Sequence, residues 1–304
     1  MKKFIEYYYD CEVDKISHNS YGYDVVINNK KYIFKLIEDL TSLEIYKKNM
    51  NYLKQYEFFF IIIPNKLNSL YTSINNKNYI LLSLKNINNC KISMYDIKTN
   101  LYLNEDRIIE NYGNLWIKRW EQKIDYLELW INERKTINDK WYSIFQFYIG
   151  LGELGILYLK NSIKSIIPNE YDKATIQHNR MHIDSDLYDY YDPTNIIIDH
   201  NSRDISEYIK SAIILDINVD DFISALSDYL DIHKFSKFGV SLLYSRIIFP
   251  TYFFDYLEKI VGTDKFDELN VIYLEKIAKI YEKRIKKLNI LFKKKYNLEV
   301  INTI

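Results

Sequence analysis

The apolar pattern of this chain changes period along its length, and that change limits the fold more than any single motif. Up to about residue 90 the apolar residues come in short β-rich runs. From about residue 105 they recur at helical spacing over long stretches. "YDVVINN" (23–29) and "KKYIFKLI" (30–37) meet at Asn28-Asn29, a pair suited to a tight hairpin turn. A helix is expected from Ser42, "SLEIYKKNMNYLKQY", followed by two buried or half-buried strands in "FFFIIIP" and "NYILLSL". In the second part, "NLWIKRWEQKIDYLELWINER" sets Trp116, Trp120, Ile124, Leu127 and Ile131 on one stripe. "DKWYSIFQFYIGLGELGILYLKN" reads as a helix interrupted or bent at Gly150, Gly152 and Gly155, and Pro250 is expected to kink or split a later one. Three short β pieces, "KATIQ", "TNIIID" and their neighbours, interrupt the helices between 173 and 200. The pattern predicts an α+β fold: a small β-rich lobe with one helix over residues 1–90, and a large, mainly helical lobe with a short β insertion over 91–304.

Composition removes several function classes. Lys+Arg and Asp+Glu both total 41, so no net charge draws the chain to nucleic acid or to an anionic membrane. Cys11 and Cys90 stand far apart with no His or Cys at metal spacing, which argues against a disulfide framework and a zinc site. "MKKFIEYYYDCEVDK" turns acidic too early for a secretory leader, and "FFFIIIP" falls far short of the roughly 20 residues of a membrane span. An intracellular, soluble protein is expected. The 30 tyrosines fit either codon usage or a surface suited to packing on partners. The basic C-terminal run "KRIKKLNILFKKK" interleaves lysines with apolar residues, as the wet face of a packed helix does; the alternative is a partner-binding helix.

A β lobe with one helix, then a helical lobe with a β insertion, is the layout of a two-lobed kinase. Such an enzyme needs a strand lysine for the phosphates, an acidic partner for it on the helix, a catalytic Asp, and an Asn and an Asp for Mg²⁺. Lys35 in "YIFKLI" fits the phosphate lysine, with Glu44 as its partner; it also fits a lysine on the wet face of an edge strand. The preceding turn, "HNSYGYDVV", has one glycine where a phosphate-cradling loop uses several. Asp199 ends "TNIIID" where a Mg²⁺ ligand would stand, or else begins a turn. Asp204 and Glu207 fit a capping box at the start of the next helix. His178 lies within the degenerate catalytic segment (173–210). In the pattern His-x-Asp-x-x-x-x-Asn it puts Arg180 at the catalytic Asp and Ser185 at the Asn. Arginine keeps its proton at any accessible pH and cannot act as a base. Asp184, Asp186, Asp189 and Asp192 lie nearby as displaced carboxylates, but none restores the spacing, and Asn195 belongs with the following strand.

Over residues 110–260 the chain resembles the kinase-like spore coat proteins of endospore-forming bacteria, the CotS and YutH group, which are themselves similar to aminoglycoside and choline phosphotransferases. "GNLWIKRWEQKIDYLELW", "FYIGLGE", "ATIQHNRM", "IIIDHNSRDISEYIK" and "FSKFGVSLLYSRIIFPTYFFDYLE" carry the resemblance. It implies that Asp199 stands at the Mg²⁺-binding aspartate, Asp204 at the aspartate that braces the catalytic loop, and His178 at the first residue of His-Gly-Asp. Arg180 departs from that motif. The resemblance therefore implies a catalytically impaired, pseudokinase-type protein with a structural or assembly role in the coat; the alternative is an active ATP-dependent phosphotransferase. It also implies synthesis in the mother-cell cytoplasm before attachment to the coat, and other coat proteins as partners. No cofactor is required under that expectation, although a retained or degenerate cleft leaves room for ATP and Mg²⁺.

Overall fold

The computed structural model describes residues 1–55, 59–84, 90–101, 112–133, 137–215, 217–263 and 266–302. Phe58 of "FFFIIIP" and the change of pattern near residue 105 lie outside these residues. The chain divides into two compact units, Met1–Ile92 with Asp184–Ile198, and Ser93–Ile183 with Asp199–Ile304.

The first unit opens with a short helix, α1 (Lys2–Tyr9), and a strand, β1 (Lys15–Asn19), neither of which the apolar pattern announces. Then come β2 (Gly22–Ile27), β3 (Lys30–Ile37), α2 (Thr41–Gln55), β4 (Ile61–Ile63), β5 (Thr72–Ile74) and β6 (Lys77–Ser83). The described strands form an antiparallel sheet in the order β1-β2-β3-β6-β4, with β5 also paired to β6. The hairpin at Asn28-Asn29 is present, with φ of 50° and 60°, and Asn75-Asn76 repeats it at 50° and 61° between β5 and β6. Two successive left-handed residues match the twist of the strands they join, and asparagine tolerates that conformation. Gly22 is a different case. Its φ is 144°, and a Cβ there would stand 2.4 Å from the Phe34 carbonyl oxygen, so the lone glycine serves close strand approach. One face of the sheet buries Val25, Ile27, Phe34, Tyr79 and Leu81 against Ile5 of α1 and Val13. The alternation of β3 sends Ile33 and Lys35 to the other face.

The second unit is mainly helical. α3 (Tyr112–Glu133) buries the predicted stripe from Trp116 to Ile131, and Trp120 stacks on Phe249 with ring centres 4.4 Å apart. α4 (Asp139–Ser165) runs through its three glycines without interruption, contrary to the break allowed for above. A Cβ at Gly155 would meet the Phe249 backbone nitrogen at 3.1 Å, and one at Gly152 would meet Ile124 at 3.1 Å, so both permit close packing. Between residues 173 and 200 lie two strands, β7 (Ala174–His178) and β8 (Ile196–His200), and not the three expected; β7 and the end of β8 belong to this unit, whereas α5 (Leu187–Tyr191) belongs to the first. α6 (Arg203–Ile214) and α7 (Val219–Ile232) follow. Pro250 separates α8 (Lys237–Ile248) from α9 (Thr251–Thr263), and α10 (Glu268–Tyr296) ends the helical part. Its basic run buries Ile285, Leu288 and Phe292 while Lys283, Lys286, Lys293 and Lys294 face solvent. Several tyrosines, among them Tyr148, Tyr229, Tyr244 and Tyr281, are core residues. No helix among the described residues is long and apolar enough to cross a membrane, and both cysteines are free thiols.

Candidate functional site

In the first unit, the charge of Lys35 is met by Asp192. The lysine Nζ forms an ion pair with that carboxylate and donates to Thr194 Oγ1 at 2.9 Å. Asp192 is itself held in an Asx turn, accepting from the Thr194 backbone N–H at 2.8 Å and from the Thr194 hydroxyl at 2.7 Å. Glu44, the expected partner of Lys35, is instead exposed in α2. The pairing assigned to it is corrected: helix spacing placed an acid on α2, but a segment far along the chain supplies the nearer carboxylate. In the turn before β2, Asn19 Oδ1 accepts from the backbone N–H groups of Tyr21 and Gly22 at 2.9 and 2.8 Å. Amides that a phosphate-cradling loop would turn outward are here satisfied from within. Ser185, at the pattern's Asn, uses its carbonyl to accept from Ile92 N–H at 3.0 Å.

In the second unit, the end of β7, the end of β8 and the first turn of α6 bring His178, Asp199, Arg203 and Asp204 together. Asp204 lies inside α6 and Ser202 is the N-cap, so the capping role expected for Asp204 does not hold. Its carboxylate accepts from the His178 backbone N–H at 2.8 Å and lies 2.6 Å from the ring Nδ1. Histidine backbone and side chain are thereby clamped to the start of a helix. Both oxygens of Asp199 accept from the Trp116 indole N–H at 3.1 Å. One also accepts from His200 N–H at 2.7 Å, and the other from Arg203 Nη1 at 2.6 Å. The same guanidinium donates to the carbonyls of His178 at 3.0 Å and Asn179 at 2.9 Å. Arg203 thus fastens the loop after β7 to the strand-end carboxylate. Its i,i+4 spacing from Asp199 was the available sequence signal.

Arg180 points to a partner outside the motif. Its Nε and Nη2 reach the two oxygens of Asp255 on α9 at 3.2 and 3.3 Å, a two-pronged pair. Behind the loop lies an ionic cluster that the sequence reading missed. Glu207 Oε1 accepts from Lys210 Nζ at 3.1 Å and from Arg246 Nη2 at 2.7 Å, and Lys210 also donates to Thr251 at 2.7 Å. The Arg246 guanidinium lies 4.3 Å from the Trp116 ring centre. All three charged residues are buried. Burial alone would raise the Glu207 carboxyl, yet the charges of Lys210, Arg246, Arg180 and Arg203 hold it well below the usual carboxylate range. Burial brings Lys210 down to about 8 and Arg246 down to about 10, against the opposing pull of Glu207.

The chain matches the family described as "Spore coat putative kinase YutH" over residues 2–293. Over 154 residues it is 32% identical to the endospore coat-associated protein YutH of Bacillus subtilis; that alignment covers 47% of this chain and 45% of that protein, so the match spans about half of the relative. An aminoglycoside phosphotransferase from Alicyclobacillus acidocaldarius superposes with a TM-score of 0.68 at 9% identity, covering 98% of this chain and 97% of that one. A spectinomycin phosphotransferase, solved with ADP and spectinomycin, gives 0.57 at 11% identity over 93% of this chain and 96% of that one. The choline kinase LicA from Streptococcus pneumoniae gives 0.51 at 11% identity over 93% and 97%. At such identities these structures share the fold alone. The α+β architecture is that of the kinase-like phosphotransferases, and the chain belongs to the YutH spore coat family.

Proposed function

We propose that this chain is a coat-associated pseudokinase: a phosphotransferase frame kept for assembly of the endospore coat, in which phosphate transfer is lost or severely impaired. The observation that carries this reading is Arg180 at the position of the catalytic Asp, bound to Asp255. A permanently protonated guanidinium cannot accept a hydroxyl proton, and loss of a general base costs about 10²–10⁴ in rate. The surroundings support it. Asp199, the candidate Mg²⁺ ligand, faces a guanidinium at 2.6 Å and two N–H donors, a donor set that suits a cation already present. The pattern's second Mg²⁺ ligand, an Asn, is replaced by Ser185. These residues do not fit Mg²⁺, and we derive no step through it. Manufacture in the mother-cell cytoplasm followed by docking onto other coat proteins is the matching course of events, and the balanced charge gives neither nucleic acid nor membrane a claim on the chain.

Complementation tests this directly. In sporulating cells lacking the native copy, Lys35→Ala should restore coat attachment and spore resistance as fully as the unaltered protein, and purified protein should release no phosphate from ATP. Sustained ATP turnover by the purified protein that Lys35→Ala abolishes would overturn the proposal in favour of an active phosphotransferase using a displaced carboxylate.

A further inference from the structure

We propose that residues 185–194 are a built-in ligand for the Lys35 face of the first unit's sheet, occupying the place that a nucleotide would need. This deepens the pseudokinase reading and rests on its assignment of Lys35. Ile33 and Lys35 of β3 and Leu82 of β6 share that face, Ile33 lying directly opposite Leu82 in the register. With Phe60, Tyr21, Tyr188, Asp189 and Asp192 they line a pocket with room for only about 10 Å³. One water fills such a space, whereas small-molecule and cofactor sites measure roughly 300–1,000 Å³.

The segment that closes the space is tied down along its length. Ile92 N–H donates to the Ser185 carbonyl, Leu187 N–H to that of Cys90, and Phe60 N–H to that of Tyr191, each at 3.0 Å. Tyr21 donates its hydroxyl to Asp189 at 3.2 Å. The Phe60 ring meets those of Tyr188 and Tyr191 edge-on, at 5.5 and 6.3 Å between centres. The chemistry copies a nucleotide in parts. The Asp192 carboxylate stands on the lysine as a phosphate oxygen would, and the Tyr188 ring packs on the apolar end as a base would. A free nucleotide has to displace both, together with three backbone hydrogen bonds.

Titration with a fluorescent N-methylanthraniloyl ATP separates the outcomes. The unaltered protein should show no saturable binding up to 1,000 times the concentration of a micromolar ligand's Kd (~1 mM), while the double variant Tyr188→Ala/Asp192→Asn should bind at least tenfold more tightly than that limit. Binding by the unaltered protein that Lys35→Met removes would overturn the inference, as would a folded double variant that binds no better. Should the double variant fail to fold, hydrogen exchange on the unaltered protein decides: the amides of Phe60, Leu187 and Ile92 should exchange at the same rate with and without ATP, and slowing by ATP overturns the inference. Phosphate release is followed in parallel. Turnover in the opened variant would defeat the pseudokinase reading and leave the built-in ligand standing; ATP binding without turnover in the unaltered protein would do the reverse.

Discussion

The two compact units neutralise their charged site residues by different routes. In the first, Lys35 is met by Asp192, 157 residues away in sequence, at a partly exposed position. In the second, Asp199 is met by Arg203 four residues on, and behind them Glu207, Lys210 and Arg246 form a buried cluster. A buried cluster is costly to break because every remaining charge has already left water. A single pair with solvent access can recover hydration. The stability of the second unit therefore depends on its ionic residues more than that of the first does.

Four measurements would break or sharpen this contrast. Glu207→Ala should be the most damaging, at about 3–5 kcal/mol by urea denaturation, since Lys210 and Arg246 lose their shared counter-charge inside the protein. Lys35→Met should cost less, about 2 kcal/mol, because the Asp192 side chain keeps 10% of its surface in water and its turn partner Thr194. Equal losses would mean that the units do not differ. Alkali offers a readout of the second unit. Burial pushes the Tyr244 hydroxyl up to about 12, and raises Tyr148, Tyr252 and Tyr281 as well. A raised folded-state pKa gives stability that is whole below pH 10 and is lost as pH climbs through the folded value. Tyr244 alone should account for about 1.4 kcal/mol lost by pH 11 relative to pH 9, and Tyr244→Phe should flatten that part of the pH profile. The smallest effect belongs to Arg180→Ala. Its side chain is 46% exposed and that of Asp255 37%, so the pair should contribute less than about 1 kcal/mol to the melting equilibrium.

What could be read from the sequence follows the same division. Elements with a local cause were legible: the Asn28-Asn29 hairpin, the Trp116-to-Ile131 stripe, the split at Pro250, and the strand β8 that carries Asp199 near its end. The β-rich reading of the first part missed α1, whose eight residues are too few to establish a helical period. The interruption expected at the α4 glycines is absent, because composition records a missing side chain, not the neighbour that needs the space. Among site residues, Asp199 and Arg203 share one strand–turn–helix, and their spacing alone brings them together. Asp192 could be seen as a nearby carboxylate but not as the partner of Lys35, since no periodicity links residues so far apart. Glu44 looked better placed because helix α2 follows β3 directly. Glu207 was read as the capping-box partner of Asp204; it pairs instead with Lys210 three residues on and with Arg246, 39 residues further along, which no local spacing announces.

The first unit contains residues 184–198 although its other residues end at Ile92. On the ribosome its sheet can emerge and begin to pair, but the carboxylate for Lys35 is synthesised only after all of α3, α4 and β7. At roughly 5–20 residues per second, the amino-terminal part must wait roughly 5–20 seconds for its last piece. During that interval the space beside Ile33, Lys35 and Leu82 lacks the residues that later line it, Tyr188, Asp189 and Asp192, and stays open on the nascent chain. Early chaperone contact would concentrate there and end once residue 198 clears the exit tunnel.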